Sequence, residues 1–152
     1  MGYQGFDRYA NEYDSWFIEN SNVLETEVRL VASCLKNAGN VLSIGCGSGL
    51  FEKIMADQYG IVVKKGIEPS AAMAEIARKR GMDVIVGTWS HPLLEGCSPL
   101  MPYPIELVKA AGFENLEFSQ TLVAAPCYSH ERVEDPCEGY DRGSYVAIIA
   151  YK

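Results

Sequence analysis

The chain is 152 residues long, enough for one hydrophobic core but short for a complete doubly wound enzyme. A 48% hydrophobic and 22% charged composition is that of an ordinary globular protein, and a net charge of −7 argues against a nucleic-acid partner, which is usually met by a basic face. No apolar run reaches the ~20 residues of a membrane span, and residues 1–22 lack a basic-then-apolar leader pattern. Five cysteines without a CxxC suit reduced thiols better than a disulfide framework. The expectation is a single cytoplasmic domain over residues 1–152 with no membrane contact.

In chain order, residues 3–19 are crowded with aromatic side chains: Tyr3, Phe6, Tyr9, Tyr13, Trp16 and Phe17. They fit a lid or core flap as well as the lining of a pocket. Ser21 is placed to cap a helix whose apolar positions Leu24, Val28, Val31, Ala32 and Leu35 recur at spacings of three and four. Val41 to Gly45 reads as a buried parallel strand that breaks into Gly45-Cys46-Gly47-Ser48-Gly49, with a helix from Leu50 to Tyr59. Gly60 opens a second strand, Ile61 to Ile67, ending in Glu68-Pro69-Ser70. Ser70 caps a helix over Ala71 to Arg80, stopped by Gly81, and Met82 to Gly87 is a third strand. This alternation implies parallel pairing through crossovers. Ser90 to Pro104 holds four prolines and no usable period, so it reads as a connector. Ile105 to Ala111 is a short helix closed by Gly112, Leu116 to Val123 a strand, and Ser144 to Tyr151 the last strand. The basic clusters Lys64-Lys65 and Arg78-Lys79-Arg80 read as solvated surface.

Three glycines at spacing two let the backbone approach a ligand with no Cβ in the way and tolerate φ > 0. A dinucleotide fingerprint would place its third glycine where this chain has Leu50, which disfavours a nicotinamide cofactor. Glu68, about 20 residues beyond the loop, stands where a carboxylate can accept both hydroxyls of a ribose. Cys46 contributes its backbone rather than its thiol. Cys127, His130 and Cys137, with Cys97, match no common zinc spacing, so no metal is expected.

With these residues in place, the sequence resembles the class I S-adenosyl-L-methionine-dependent methyltransferases of the small-molecule, methyltransferase type 11 kind. Tyr13 to Phe17 resembles the family's aromatic N-terminal segment, Val41 to Gly49 its first motif, and Gly66 to Met73 the next. Glu106 to Phe113, with Gly139-Tyr140 and Tyr145-Val146, resembles its C-terminal helix and last strands. The resemblance implies an α/β, Rossmann-like methyltransferase fold with an abbreviated sheet: three parallel strands plus the C-terminal strands, with helices on both faces. It also implies S-adenosyl-L-methionine as cofactor and a small-molecule methyl acceptor. Gly45, Cys46, Gly47 and Gly49 would cradle the cofactor, Glu68 and Pro69 would meet the ribose, and Met73, Trp89 and Ser90 would border the adenine. Tyr9, Tyr13 and Trp16 would close the acceptor side, with His91 as the base if one is needed and His130 second. Taken without the resemblance, Met73 and Trp89 fit core positions equally well.

Three departures stand out. Ser43 replaces the acidic residue that usually opens the first motif, and Ser90 replaces one after the third strand. Between Leu94 and Ile105 the family's fourth strand, a helix, the fifth strand and a Pro-Gly-Gly turn are missing. That loss would leave an edge of the first strand open, to be covered by the last two strands or by a second copy in a homodimer. A non-catalytic S-adenosylmethionine or S-adenosylhomocysteine binder, or an interaction protein derived from a methyltransferase, is the alternative reading.

Overall fold

The computed structural model describes residues 4–87, 108–124 and 130–151. The aromatic N-terminal stretch is helical: α1 (Gln4–Arg8) and α2 (Ala10–Glu19) follow one another. α3 (Ser21–Leu35) begins at Ser21 itself, so Ser21 is not the cap expected from the sequence. Asn20 closes α2 and precedes α3 in one residue, and its side-chain amide donates back to the Trp16 carbonyl at 2.8 Å. The turn is too tight to leave Ser21 outside the helix.

The described chain divides into two compact units. The first is built from residues 4–20 and 35–87. Here β1 (Leu42–Ile44), α4 (Leu50–Tyr59), β2 (Lys65–Glu68), α5 (Ala71–Lys79) and β3 (Asp83–Val86) make a parallel three-stranded sheet in the order β1-β2-β3. Ser43 pairs with Gly66 and Gly66 with Val84, which fixes the register. β2 is shorter than the apolar run from Ile61 suggests, because the registers with β1 and β3 both start at Lys65. Phe17, Met55, Val63, Ile67, Met73, Ala74, Ala77, Met82 and Val84 are buried in this unit. A built Cβ on Gly66 would lie 2.6 Å from Cys46 Sγ, so only glycine lets the loop pack against β2.

The second unit takes residues 21–34 together with 108–124 and 130–151. β4 (Asn115–Thr121), β5 (Cys137–Glu138) and β6 (Tyr145–Tyr151) form an antiparallel sheet in the order β5-β4-β6. The C-terminal strands therefore pair with one another in a sheet of their own instead of continuing the parallel sheet beside β1. The two-residue β5 lies in a stretch whose sequence reads as irregular. α3 joins this unit through Asn22, which donates to the His130 carbonyl at 2.8 Å, and Thr26, whose hydroxyl accepts the Glu134 amide at 2.9 Å. Buried Gln120 accepts the amides of Arg142 and Gly143 at 2.9 and 2.7 Å and shapes the turn before β6. No helix among the described residues is long and apolar enough to cross a membrane.

Candidate functional site

The glycine loop sits at the carboxyl end of β1, where ligands bind in open α/β sheets. Its first residue is tied to the next strand, the Gly45 amide donating to the Ile67 carbonyl at 2.7 Å. Gly45, Gly47 and Gly49 have φ of +74°, +56° and +71°, a run of left-handed conformations that only glycine adopts without strain. Their surroundings differ. Among the described residues, a Cβ on Gly45 or Gly47 would meet nothing within 4 Å, whereas one on Gly49 would lie 2.8 Å from Met82 Sδ and 3.2 Å from Ala77 Cβ. Gly49 is thus fixed by packing, and Gly45 and Gly47 face open space. Gly49 also occupies the N-cap of α4 with no side-chain cap.

Glu68, 6% exposed, closes the loop from β2. Its Oε2 accepts the Gly47 amide and its Oε1 the Ser70 amide, each at 2.8 Å. Ser70 is the cap predicted for α5: its hydroxyl accepts the Met73 amide at 3.2 Å. The same hydroxyl donates to Asp7 Oδ1 at 2.7 Å, and Asp7 also accepts the Ala72 amide at 3.2 Å. The Ser70 hydroxyl, then the Ala72 amide, hold the Asp7 carboxyl below its ordinary range. A residue of α1 thereby completes the N-terminus of α5.

A second acid reaches the loop from α2. Buried Asp14 accepts the Ser48 hydroxyl through Oδ1 and pairs through Oδ2 with Arg80 at 2.6 Å. Arg80 in turn donates to the Ser48 carbonyl at 2.8 Å. Arg80 is therefore no solvated surface charge, because the loop backbone and Asp14 both take its guanidinium. A third acid, Glu52, lies under the loop in the first turn of α4, where the Ser43 hydroxyl donates to its Oε1 at 2.7 Å. Burial, followed by the charges of Glu52 and Glu68, pushes the Cys46 thiol up to about 12, so it stays a neutral thiol at physiological pH.

Gly45, Cys46, Gly47, Gly49 and Glu68 are therefore brought together, with Pro69 between Glu68 and Ser70. Met73 is buried at 2% exposure in the first turn of α5. Tyr9, Tyr13 and Trp16 lie along α1–α2 at 53, 40 and 52% exposure. Tyr13 meets Phe17 edge-on at 5.1 Å between ring centroids, and Phe17 meets Phe51 of α4 at 5.5 Å. Trp89, Ser90, His91, Cys97 and Cys127 lie outside the described residues, as do residues 105–107 of the short helix, of which 108–110 are helical. His130 and Cys137 belong to the second unit. Asp7, Asp14, Glu52 and Arg80 are not singled out by any sequence motif. The one available signal is Asp14 within the aromatic Tyr13-Asp14-Ser15-Trp16-Phe17 stretch.

No family model matches the chain. An uncharacterised protein of Methanocaldococcus jannaschii is 40% identical over 81 residues, 53% of this chain and 36% of that protein's length. The match therefore spans well under half of that relative. Among solved structures, the plantazolicin methyltransferase aligns with a TM-score of 0.43 and 17% identity over 76% of this chain and 53% of its own. A Thermotoga maritima protein, named as a SAM-dependent methyltransferase and possible histamine N-methyltransferase, aligns with a TM-score of 0.77 and 24% identity. That alignment covers 98% of this chain and 99% of the Thermotoga chain, and it identifies the architecture: the chain has the Rossmann-like fold of a SAM-dependent methyltransferase.

Proposed function

We propose that this chain is a S-adenosylmethionine-dependent methyltransferase acting on a small-molecule acceptor, in the cytoplasm. The observation that carries the reading is the open left-handed turn at Gly45 and Gly47 with the Glu68 carboxylate beside it. The residues present fit the cofactor. Each Glu68 oxygen accepts one amide and keeps lone-pair capacity for a ribose hydroxyl. One buried carboxylate oxygen beneath the loop, Glu52 Oε2, has no hydrogen-bond partner among the described residues.

On this reading Gly45, Cys46, Gly47 and Gly49 hold the cofactor through their backbone, Glu68 and Pro69 hold the ribose, and Met73, Trp89 and Ser90 border the adenine. When bound, the cofactor supplies a methyl group already activated on a sulfonium. The protein's task is then to align the acceptor and exclude water. Tyr9, Tyr13 and Trp16 supply an apolar aromatic surface for the acceptor side. His91 serves as base where the acceptor must lose a proton. The reading includes a second copy of the chain covering the free edge of β1, which has β2 as its sole strand neighbour among the described residues.

Titration calorimetry tests the first step. The wild type is expected to bind S-adenosylmethionine and S-adenosylhomocysteine, and Glu68→Ala to weaken both by about 1.5–3 kcal/mol, the range for hydrogen bonds to a charged group. A wild type that binds neither, or a Glu68→Ala variant of unchanged affinity, overturns the assignment. Tight binding with no methyl transfer across small acceptors would favour the non-catalytic binder.

A further inference from the structure

The parallel sheet has two outer edges among the described residues, and they are finished differently. At β3 the amides of Asp83 and Gly87 donate to the Lys64 and Glu68 carbonyls at 2.8 and 3.1 Å, so the backbone groups of Val84 and Val86 point outward. Arg78 closes that edge, because its Nε and Nη2 both donate to the Val84 carbonyl, at 3.2 and 2.6 Å. Exposed Asp83 adds a second charge there. Charged side chains on an edge strand guard it against pairing with another strand.

β1 has no such guard. The Gly45 amide donates to the Ile67 carbonyl at 2.7 Å, so Ser43, two residues earlier, also turns its backbone groups to β2. Those of Leu42 and Ile44 face the open edge, and among the described residues they have no hydrogen-bond partner. Both side chains are exposed. Residues 37–51 contain no charged side chain, although the chain carries a net charge of −7. Two copies can therefore approach along this stretch without like-charge repulsion. The C-terminal strands, the other described candidates for this edge, pair among themselves. A closed pair of identical chains uses one patch twice about a two-fold axis, which makes two copies of an edge strand run antiparallel. An axis at Ser43 sets Leu42 opposite Ile44 of the second copy. Each such pair exchanges two hydrogen bonds, and the apolar side chains meet on one face.

We propose that two copies of the chain pair antiparallel through β1 about a two-fold axis at Ser43, joining two three-stranded sheets into one and completing each glycine loop with residues of the other copy. The same register sets the second copy's Val41 beside Gly45. It carries the second copy's Asn40, an exposed amide, to the open side of the loop. Asn40 thus serves the cofactor site of its partner. That role rests on the cofactor reading above; the pairing gives the second copy of that reading its geometry and stands without the cofactor.

Sedimentation velocity, oxidative cross-linking and calorimetry on the full chain test it. The wild type is expected to sediment as a dimer at micromolar concentration. Opposed residues without mutual hydrogen bonds lie ~4.5 Å apart between Cα atoms, within disulfide reach. Ser43→Cys is therefore expected to cross-link under mild oxidant well beyond the wild type with its five cysteines. Leu42→Pro removes an outward amide at the first residue of the strand, a position that tolerates proline. It is expected to keep the wild-type circular dichroism and to sediment as a monomer. Asn40→Ala is expected to stay dimeric and to bind S-adenosylhomocysteine about tenfold more weakly, the size of one hydrogen bond. A monomeric wild type, a folded Leu42→Pro that remains dimeric, or a Ser43→Cys no more cross-linked than the wild type overturns the pairing. If Leu42→Pro fails to fold, the Ser43→Cys cross-link decides the register. A dimeric Asn40→Ala of unchanged affinity overturns the shared site. A wild type that dimerises but binds no S-adenosylhomocysteine overturns the cofactor reading, and with it the role of Asn40, while supporting the pairing.

Discussion

Gly47 and Gly49 share a left-handed backbone but differ in what surrounds them, and the difference separates binding from stability. At Gly47, φ is +56° with open space, so alanine there costs about 1–2 kcal/mol of backbone strain and projects a methyl group toward the ligand side. At Gly49 the same strain is joined by a contact of 2.8 Å to Met82 Sδ and one of 3.3 Å to the Ala77 Cα, for a total of about 3 kcal/mol. Gly47→Ala is therefore expected to melt only slightly lower than the wild type while losing cofactor affinity. Gly49→Ala should show the larger fall in melting temperature. Thermal melts beside calorimetry check both, and equal melting temperatures would contradict the distinction. At this scale the sequence was partly readable. Gly45, Gly47, Gly49, Glu68 and Ser70 stand in a local pattern whose backbone consequences are fixed by residue type. Asp14, Glu52 and Arg80 look like solvated helix charges, since the contacts that hold them join residues far apart in the chain, Asp14 with Ser48 and with Arg80.

Two short helices, α1 and α2, are tied to the loop region by acids as well as by the Phe17–Phe51 contact. Asp7 completes the start of α5, and Asp14 links Ser48 to Arg80. Removing one member of a largely buried ion pair leaves the other uncompensated, and Arg80 retains some solvent at 23% side-chain exposure. Asp14→Asn is therefore expected to cost about 2–3 kcal/mol, below the range for fully buried pairs. It should also lower cofactor affinity, because Ser48 belongs to the loop. Urea unfolding measures the first, and a change under about 0.5 kcal/mol would match an ordinary surface substitution and contradict a structural tie. The limits of α4 and α5 follow from glycine and serine punctuation at Gly49, Gly60 and Ser70, which acts locally and can be read directly. α1 and α2 escape such a reading. α2 has no side-chain N-cap bond, and the aromatic residues that mark both helices suit several conformations. β2 is shorter than its apolar run because neighbouring strands, not propensity, decide where a ladder starts.

At the scale of the molecule, the parallel sheet ends at β1 among the described residues, and the C-terminal strands that might have extended it form their own antiparallel sheet. The exposed Leu42 and Ile44 at this edge fit coverage by a second copy. Sedimentation velocity is expected to find a dimer, and substituting Ile44 by lysine should shift it toward monomer. A strict monomer at micromolar concentration that still binds cofactor would remove the dimer from the account. Long-range pairing of this kind lies beyond sequence pattern, since alternation announces strands without naming their partners.

The path of the chain has a consequence of its own during synthesis. α3 leaves the ribosome before residues 35–87, yet it belongs with a sheet whose strands run from Asn115 to Tyr151. While the first unit can assemble as its last strand emerges, α3 lacks the rest of its own unit until residues 115–151 are made. For that interval the nascent protein carries an apolar helix awaiting a partner about a hundred residues downstream, the kind of exposed surface that chaperones recognise and that favours aggregation when synthesis stalls.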